Sequence, residues 1–373
     1  MNQKSRKNND VYIPTWLKAA LITTVALFVA VTMALGGFLI AELVTDDTPE
    51  PVQSVGGSSN KKDNSTKDTD SVQAGIVTPN GNKKPLYKTE MTKTNYISTS
   101  DASTADATST VTSKSTILVE TGSNIAVAEK NADLRIYPAS MTKVMTLVVV
   151  CENITSLDTE LEVTQQALTY MANTGGSGVG LKAGEKLTVK DYIYLLSYQS
   201  DTIASILLAE HVGGTQENFV KMMNDTAAKI GMTNSHFANP TGLHDENNYS
   251  TCRDMAALLL YALDNPMAKK ALTEFNGYAL DRDDAAGYPD ITLYSHWYSD
   301  RFKDNPNLRT STILGGKTGF EDISGYTLVT YAKGDNGKYY INVIVTRDQI
   351  GGLSLGKDAH MAEVKTMYNT YVK

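Results

Sequence analysis

Histidine and cysteine are scarce in this chain, five of one and two of the other in 373 residues, and neither His-Glu-x-x-His nor any other zinc-ligand spacing occurs. A metal peptidase is therefore not expected, and no cofactor or metal is called for. A basic patch is also missing, and the net charge of −7 argues against nucleic acid as a partner. Cys151 and Cys252 fall in predicted helices and read as apolar core filler rather than as a disulfide or a ligand pair. Gly178-Val-Gly180-Leu-Lys-Ala183 imitates a dinucleotide fingerprint, but no strand precedes it and no long helix opens at it, so a loop is expected there.

Charge is absent from one long stretch, residues 19–41, which as a helix at about 1.5 Å per residue crosses the hydrocarbon layer. Lys4, Arg6, Lys7 and Lys18 precede it, whereas Glu42, Asp46, Asp47 and Glu50 follow. The positive flank stays in the cytoplasm, which puts the rest of the chain outside. The apolar region of a cleaved signal peptide is shorter, about 7 to 15 residues, so a retained single-pass anchor is expected. Residues 45–113 are rich in Ser, Thr, Asp, Asn and Lys and poor in large apolar side chains, the composition of a disordered linker. The predicted plan is a cytoplasmic tail (1–16), a transmembrane anchor (17–44), a linker (45–113) and an extracytoplasmic folded domain (114–373).

Within the domain, Thr116-Ile-Leu-Val-Glu120 and Ile125-Ala-Val-Ala128 flank Thr121-Gly-Ser123 as a β-hairpin. From Ser140 to about Ile154 the chain is apolar on nearly every side, as a buried helix is. Further helices are predicted over 189–196, 202–211, 216–230 and 255–263, the last with a capping-box-like start at Thr251 and Asp254. Beyond Lys317 the apolar period becomes two. Residues 326–331 and 339–345 join across Asp335-Asn-Gly337 as a second hairpin, and an amphipathic helix closes the chain from about 358 to 371. Strands at both ends with helices between predict an α+β domain, an antiparallel sheet made from both ends and packed on a helical insertion.

Ser140-Met-Thr-Lys143 puts a hydroxyl and an amine one helical turn apart, so Lys143 can reach Ser140. An amine held among apolar side chains loses affinity for its proton and can act as a base toward the serine. The alternative is a helix-capping Ser140 with Lys143 reaching to water. Alone the motif is weak, since Ser58 with Lys61 repeats it in the linker. Lys317-Thr-Gly319 is more specific, expected by chance in about one chain in ten of this length.

Pro138-Ala-Ser-Met-Thr-Lys-Val-Met-Thr146 resembles the active-site segment of the penicillin-binding D-alanyl-D-alanine carboxypeptidases, the low-molecular-mass serine DD-peptidases of peptidase family S11. Val189-Lys-Asp191, Ala209-Glu210, Asn239-Pro-Thr-Gly-Leu-His244, Tyr249-Ser-Thr-Cys-Arg-Asp-Met-Ala256 and Gly316-Lys-Thr-Gly-Phe320 follow in the family's order and spacing, over roughly residues 114 to 350. Ser-x-x-Lys, Ser-Asp-Asn and Lys-Thr-Gly are the known signature set of penicillin-binding proteins and class A β-lactamases. The resemblance implies the DD-peptidase/β-lactamase-like fold and an acyl-enzyme on Ser140 with Lys143 as base and Ser200 as proton relay. It implies that Lys317 and Thr318 hold the substrate carboxylate, that Gly319 lets the substrate backbone approach, and that the N–H groups of Ser140 and Phe320 form an oxyanion hole. The implied partners are peptidoglycan stem peptides ending in D-Ala-D-Ala and β-lactam antibiotics. The middle motif departs, reading Ser200-Asp201-Thr202, so threonine stands where the family has asparagine. That departure opens a second reading, a catalytically weak penicillin-sensing or wall-binding homologue. A class A-like β-lactamase needs a deacylating glutamate between the first two motifs, which finds no match. Asn239 and His244 are expected in a loop with a structural role near the cleft.

Overall fold

A computed structural model describes residues 84–274, 277–282, 287, 289–295, 308–346 and 359–373. The predicted anchor, the linker up to residue 83 and His296 lie outside them. Among the described residues no helix is long and apolar enough to cross a membrane. The described strands are β1 (Ala105–Asp106), β2 (Ser115–Glu120), β3 (Ile125–Lys130), β4 (Glu160–Glu162), β5 (Lys186–Thr188), β6 (Tyr278–Leu280), β7 (Ile291–Leu293), β8 (Ser311–Glu321), β9 (Gly325–Gly334) and β10 (Tyr339–Val345). The helices are α1 (Lys143–Asn153), α2 (Gln165–Thr174), α3 (Val189–Tyr198), α4 (Thr202–Gly213), α5 (Gln216–Ile230), α6 (Cys252–Ala262), α7 (Pro266–Thr273) and α8 (Ala359–Tyr371).

Six strands form one sheet in the order β1-β3-β2-β10-β9-β8, antiparallel except where β1 runs parallel to β3. The two ends of the domain meet at β2 and β10, where Val119 pairs with Ile341 and Ile117 with Val343. Side chains of a strand alternate between faces. Ile117, Val119, Ile341 and Val343 accordingly join the helical core, while Leu118, Leu328, Tyr340 and Ile344 pack on the other face with Met361, Val364 and Met367 of α8. A sheet covered on both faces reads as a nearly continuous apolar run, as β10 does.

Helix α1 is the centre of the helical layer. Every residue from Lys143 to Cys151 is buried, and α3, α4, α5 and α6 pack around it. Burying each Val or Leu side chain here contributes roughly 1.5–3 kcal/mol, so α1 is held by its surroundings rather than by helix propensity. Thr251 caps α6 by accepting from the Asp254 N–H, but the Asp254 carboxylate turns to Asn234 N and Ser235 Oγ, so only half of the expected capping box forms. Cys151 and Cys252 are buried free thiols in α1 and α6.

The expectation of a disordered linker through residue 113 is corrected from residue 84 onward. Leu86 N donates to Ile154 O at 2.9 Å and Glu90 N to Asp264 O at 3.1 Å. Tyr96 is buried edge-on against Tyr261 and donates to Asp264 Oδ2 at 2.5 Å. Ala107 and Val111 enter the core beneath α8, and β1 covers the β3 edge. Averaged composition hides these few apolar side chains, and several polar residues between them bond to distant parts of the domain, Ser100 Oγ to Glu129, Thr104 Oγ1 to Ala126 O and Thr110 to Tyr371. Two-stranded ribbons β4–β5 and β6–β7 and helices α2 and α7 complete the described fold without a counterpart in the sequence pattern.

Candidate active site

The chain enters the site through Tyr137 and Pro138, and Ala139 takes φ +48°, a left-handed conformation that is uncommon outside glycine and costs of order 1–3 kcal/mol. That turn tips the segment Ala139–Thr142 into a single 3₁₀ turn before α1 begins at Lys143. Ser140 therefore stands on the turn rather than inside an α-helix. It makes no capping hydrogen bond, and Lys143 is buried to 2% exposure, so the capping-and-snorkelling alternative does not describe this pair. Lys143 Nζ lies 3.1 Å from Ser140 Oγ and donates to the Thr241 carbonyl at 2.5 Å. Burial pushes the Lys143 pKa down to about 8, against the pull of the Asp201 and Glu321 carboxylates.

The Thr241 carbonyl is aimed by Asn239. Its Oδ1 accepts from Thr241 N (3.1 Å), Thr241 Oγ1 (2.8 Å) and Gly242 N (2.8 Å), and its Nδ2 donates to Leu243 O (3.0 Å). Thr146 Oγ1, one turn along α1 from Lys143, donates to Pro240 O at 2.7 Å and ties the loop to the helix. Gly242 has φ +79° and passes so close to the turn that carries Ser140 that a Cβ there would sit 2.0 Å from Ala139 O. His244 packs edge-on against Tyr137, with ring centroids 4.9 Å apart.

A second left-handed residue, Ser200 at φ +56°, precedes α4. Its Oγ accepts from Lys317 Nζ at 2.9 Å, and Lys317 also donates to Thr318 O at 2.8 Å. Lys317 sits on β8, the edge strand of the described sheet, and is 3% exposed. Asp201 caps α4 through Ala204 N at 2.9 Å, and its complete burial raises its pKa. Thr202 is buried, and its Oγ1 has no partner among the described residues.

Gly319 faces the segment that carries Ser140. A Cβ there would lie 2.4 Å from Thr327 Oγ1 and 2.8 Å from Ser140 N, so the missing side chain lets the turn dock on the sheet. Thr327 Oγ1 completes that docking by donating to Pro138 O at 3.1 Å. Phe320, half-exposed, closes the rim against Tyr326 with centroids 4.5 Å apart. The cleft so formed, about 310 Å³, brings Ser140, Lys143, Ser200, Thr202, Thr318, Gly319 and Phe320 together. With a buried low-pKa amine beside a hydroxyl, and the Lys317 amine on Ser200 Oγ, it can activate a serine and hold an anion.

A family model for D-alanyl-D-alanine carboxypeptidase matches residues 100–348, more than half of the sequence. The chain belongs to that family. It is 31% identical over 235 residues to D-alanyl-D-alanine carboxypeptidase DacF of Bacillus subtilis, covering 60% of this chain and 54% of that protein. It is 33% identical over 230 residues to DacC of Escherichia coli, again covering 60% and 54%. The chain thus spans about half the length of these curated relatives. Among solved structures, the Streptomyces K15 DD-transpeptidase superposes with a TM-score of 0.61 at 23% identity, covering 69% of this chain and 96% of that one. A Mycobacterium tuberculosis D-alanyl-D-alanine carboxypeptidase gives a TM-score of 0.58 at 21% identity, covering 69% and 90%. These likenesses show a shared DD-peptidase fold.

Four features of the cleft and its surroundings have no mark of their own in the sequence. The Thr241 carbonyl is a backbone atom and leaves no residue signature. Asp201 is the variable middle position of the Ser-x-Asn-type motif. Ser177 and Glu321 line the cleft from positions just outside the segments that the sequence marks. Among the described residues lining the cleft Glu321 is the only carboxylate, and it follows Lys-Thr-Gly instead of standing between the first two motifs. Burial raises its pKa, while Lys143 and His244 pull it down.

Proposed function

We propose that this chain is a serine-type D-Ala-D-Ala carboxypeptidase that trims peptidoglycan stem peptides through an acyl-enzyme on Ser140. The observation that carries the reading is the closed set Thr241 O, Lys143 Nζ and Ser140 Oγ in one cleft with Lys317 Nζ on Ser200 Oγ. Ser140 Oγ attacks the carbonyl between the terminal D-alanines while Lys143 takes its proton. The backbone N–H groups of Ser140 and Phe320 stabilise the oxyanion, the contribution that is usually largest in acyl transfer. Lys317 and Thr318 hold the terminal carboxylate, and Ser200 relays a proton to the departing D-alanine amine. Water then cleaves the ester. A β-lactam enters by the same attack.

Labelled penicillin followed by peptide mass mapping is expected to place one adduct on Ser140, and the protein is expected to release D-alanine from a diacyl-Lys-D-Ala-D-Ala peptide. Because the base must be neutral to accept a proton, acylation should accelerate as pH rises through about 8 and level off above it. No adduct on Ser140, or no limb near that pH, defeats the reading. An adduct without D-alanine release selects the penicillin-sensing alternative, which the departure at Thr202 supports.

The uncharged stretch 19–41 with its basic leading flank supports a single-pass anchor holding the domain outside the cell membrane. Deleting residues 1–44 should move the protein from the membrane pellet to the supernatant. Pelleting that survives the deletion refutes the anchor.

A further inference from the structure

Beside the site, residues 175–180 form a loop whose sequence is Gly-Gly-Ser-Gly-Val-Gly. It begins at Gly175, the left-handed C-cap of α2. Its contacts with the turn that carries Ser200 are specific. Ser177 Oγ donates to Ser200 O at 2.8 Å, and Ser177 O accepts from Thr202 N at 2.9 Å. Val179 N donates to Asp201 Oδ2 at 3.1 Å. One serine thus grips the turn on both sides of Asp201. Ser200 is the residue whose backbone is strained, and its side chain holds Lys317, so the grip is applied where the turn most needs it.

Size decides whether the loop can reach that place. A Cβ on Gly176 would lie 2.6 Å from Thr202 Oγ1 and 2.9 Å from both Thr202 Cβ and Cγ2. Glycine and threonine are therefore in contact with no room between them. The longer amide of asparagine extends one atom beyond either branch of the threonine, and both of those branches already lie close to Gly176.

We propose that Ser177 is a positioning residue of the catalytic cleft, clamping the Ser200 turn so that Ser200 Oγ stays on Lys317, and that Thr202 is the side chain small enough to let this clamp close. The proposal rests on the peptidase reading and gives the departure at position 202 a cause: threonine there is matched to the loop. The hydroxyl of Ser177 acts through Ser200 and leaves Lys143 untouched.

The test follows acylation of Ser140 in the full chain by a fluorescent penicillin across pH. Ser177→Ala, which removes one neutral hydrogen bond at an exposed residue, should lower the acylation plateau about fivefold to tenfold without moving the limb near pH 8. Ser177→Thr keeps the donor and should restore the rate. Thr202→Asn should slow acylation by a similar factor. Wild-type rates in Ser177→Ala, equal losses in the Ala and Thr variants, or a faster Thr202→Asn each overturn the clamp while leaving the peptidase reading intact. A wild-type chain that forms no adduct removes both.

Discussion

Lys143→Met should abolish detectable acylation of Ser140, a loss of about a thousandfold or more, in a protein that is no less stable than its parent. The two halves have one cause. Among the described residues the buried amine makes no ion pair, and its pKa of about 8 against an ordinary 10.5 means that the fold disfavours its charged form by about 3 kcal/mol. Methionine fills a similar volume with no charge. Against the relief stands the Thr241 carbonyl, which loses its donor at a penalty of about 1–3 kcal/mol. The net is close to zero or favourable at neutral pH. The pH dependence has a definite sign. Below about 8 both folded and unfolded chains hold the proton and the penalty is present in full. As pH rises from about 8 to 10.5 the folded state releases its proton first, and this group's contribution to stability rises. That rise should be absent from the methionine variant in urea titrations at several pH values. A variant that acylates, or that is several kcal/mol less stable, contradicts the role given to Lys143.

Gly242→Ala should be the most damaging single-carbon addition near the site. Left-handed backbone with a Cβ costs roughly 1–2 kcal/mol by itself. The new carbon would also stand 2.0 Å from Ala139 O, a backbone atom that can yield only by moving the nucleophile turn. A loss of more than about 3 kcal/mol follows, or about 10 °C in Tm, with acylation reduced about a hundredfold as Ser140 and the Thr241 carbonyl separate. Gly184→Ala is the control. Its φ of +84° imposes the same backbone strain, but nothing lies within 4 Å, so about 1 kcal/mol and full activity are expected. Equal damage from both variants would show that close packing at Gly242 contributes nothing beyond its conformation.

What the sequence reveals and what it hides separate along physical lines. Ser140, Lys143 and Lys317 are legible because the chemistry demands those side chains at fixed spacing. The helices other than α2 and α7, and the two predicted hairpins, are legible because burial on one or all faces imposes a period. The geometry that makes the site work is carried by backbone. Thr241 contributes a carbonyl, Ala139 and Ser200 contribute left-handed turns, and Gly319 contributes the absence of a side chain that would strike Ser140 N. None of these has a compositional mark. The segment from residue 84 is hidden for another reason. Its few anchors, Tyr96, Ala107 and Val111, are diluted by polar residues whose partners lie far away in sequence, such as Asp264. Thr202 can be seen as a departure from the family, but its reason is visible only where Gly176 lies against it.

The two sealed thiols have a consequence for how this protein is made. Cys151 and Cys252 sit in separate helices with no accessible surface, and burial raises the pKa of each, so neither offers a thiolate to an oxidant or to an exchange partner. The described fold is closed without a disulfide. It can form on either side of a redox boundary, without a disulfide catalyst, and a shift in thiol poise after folding has no covalent bond in it to break.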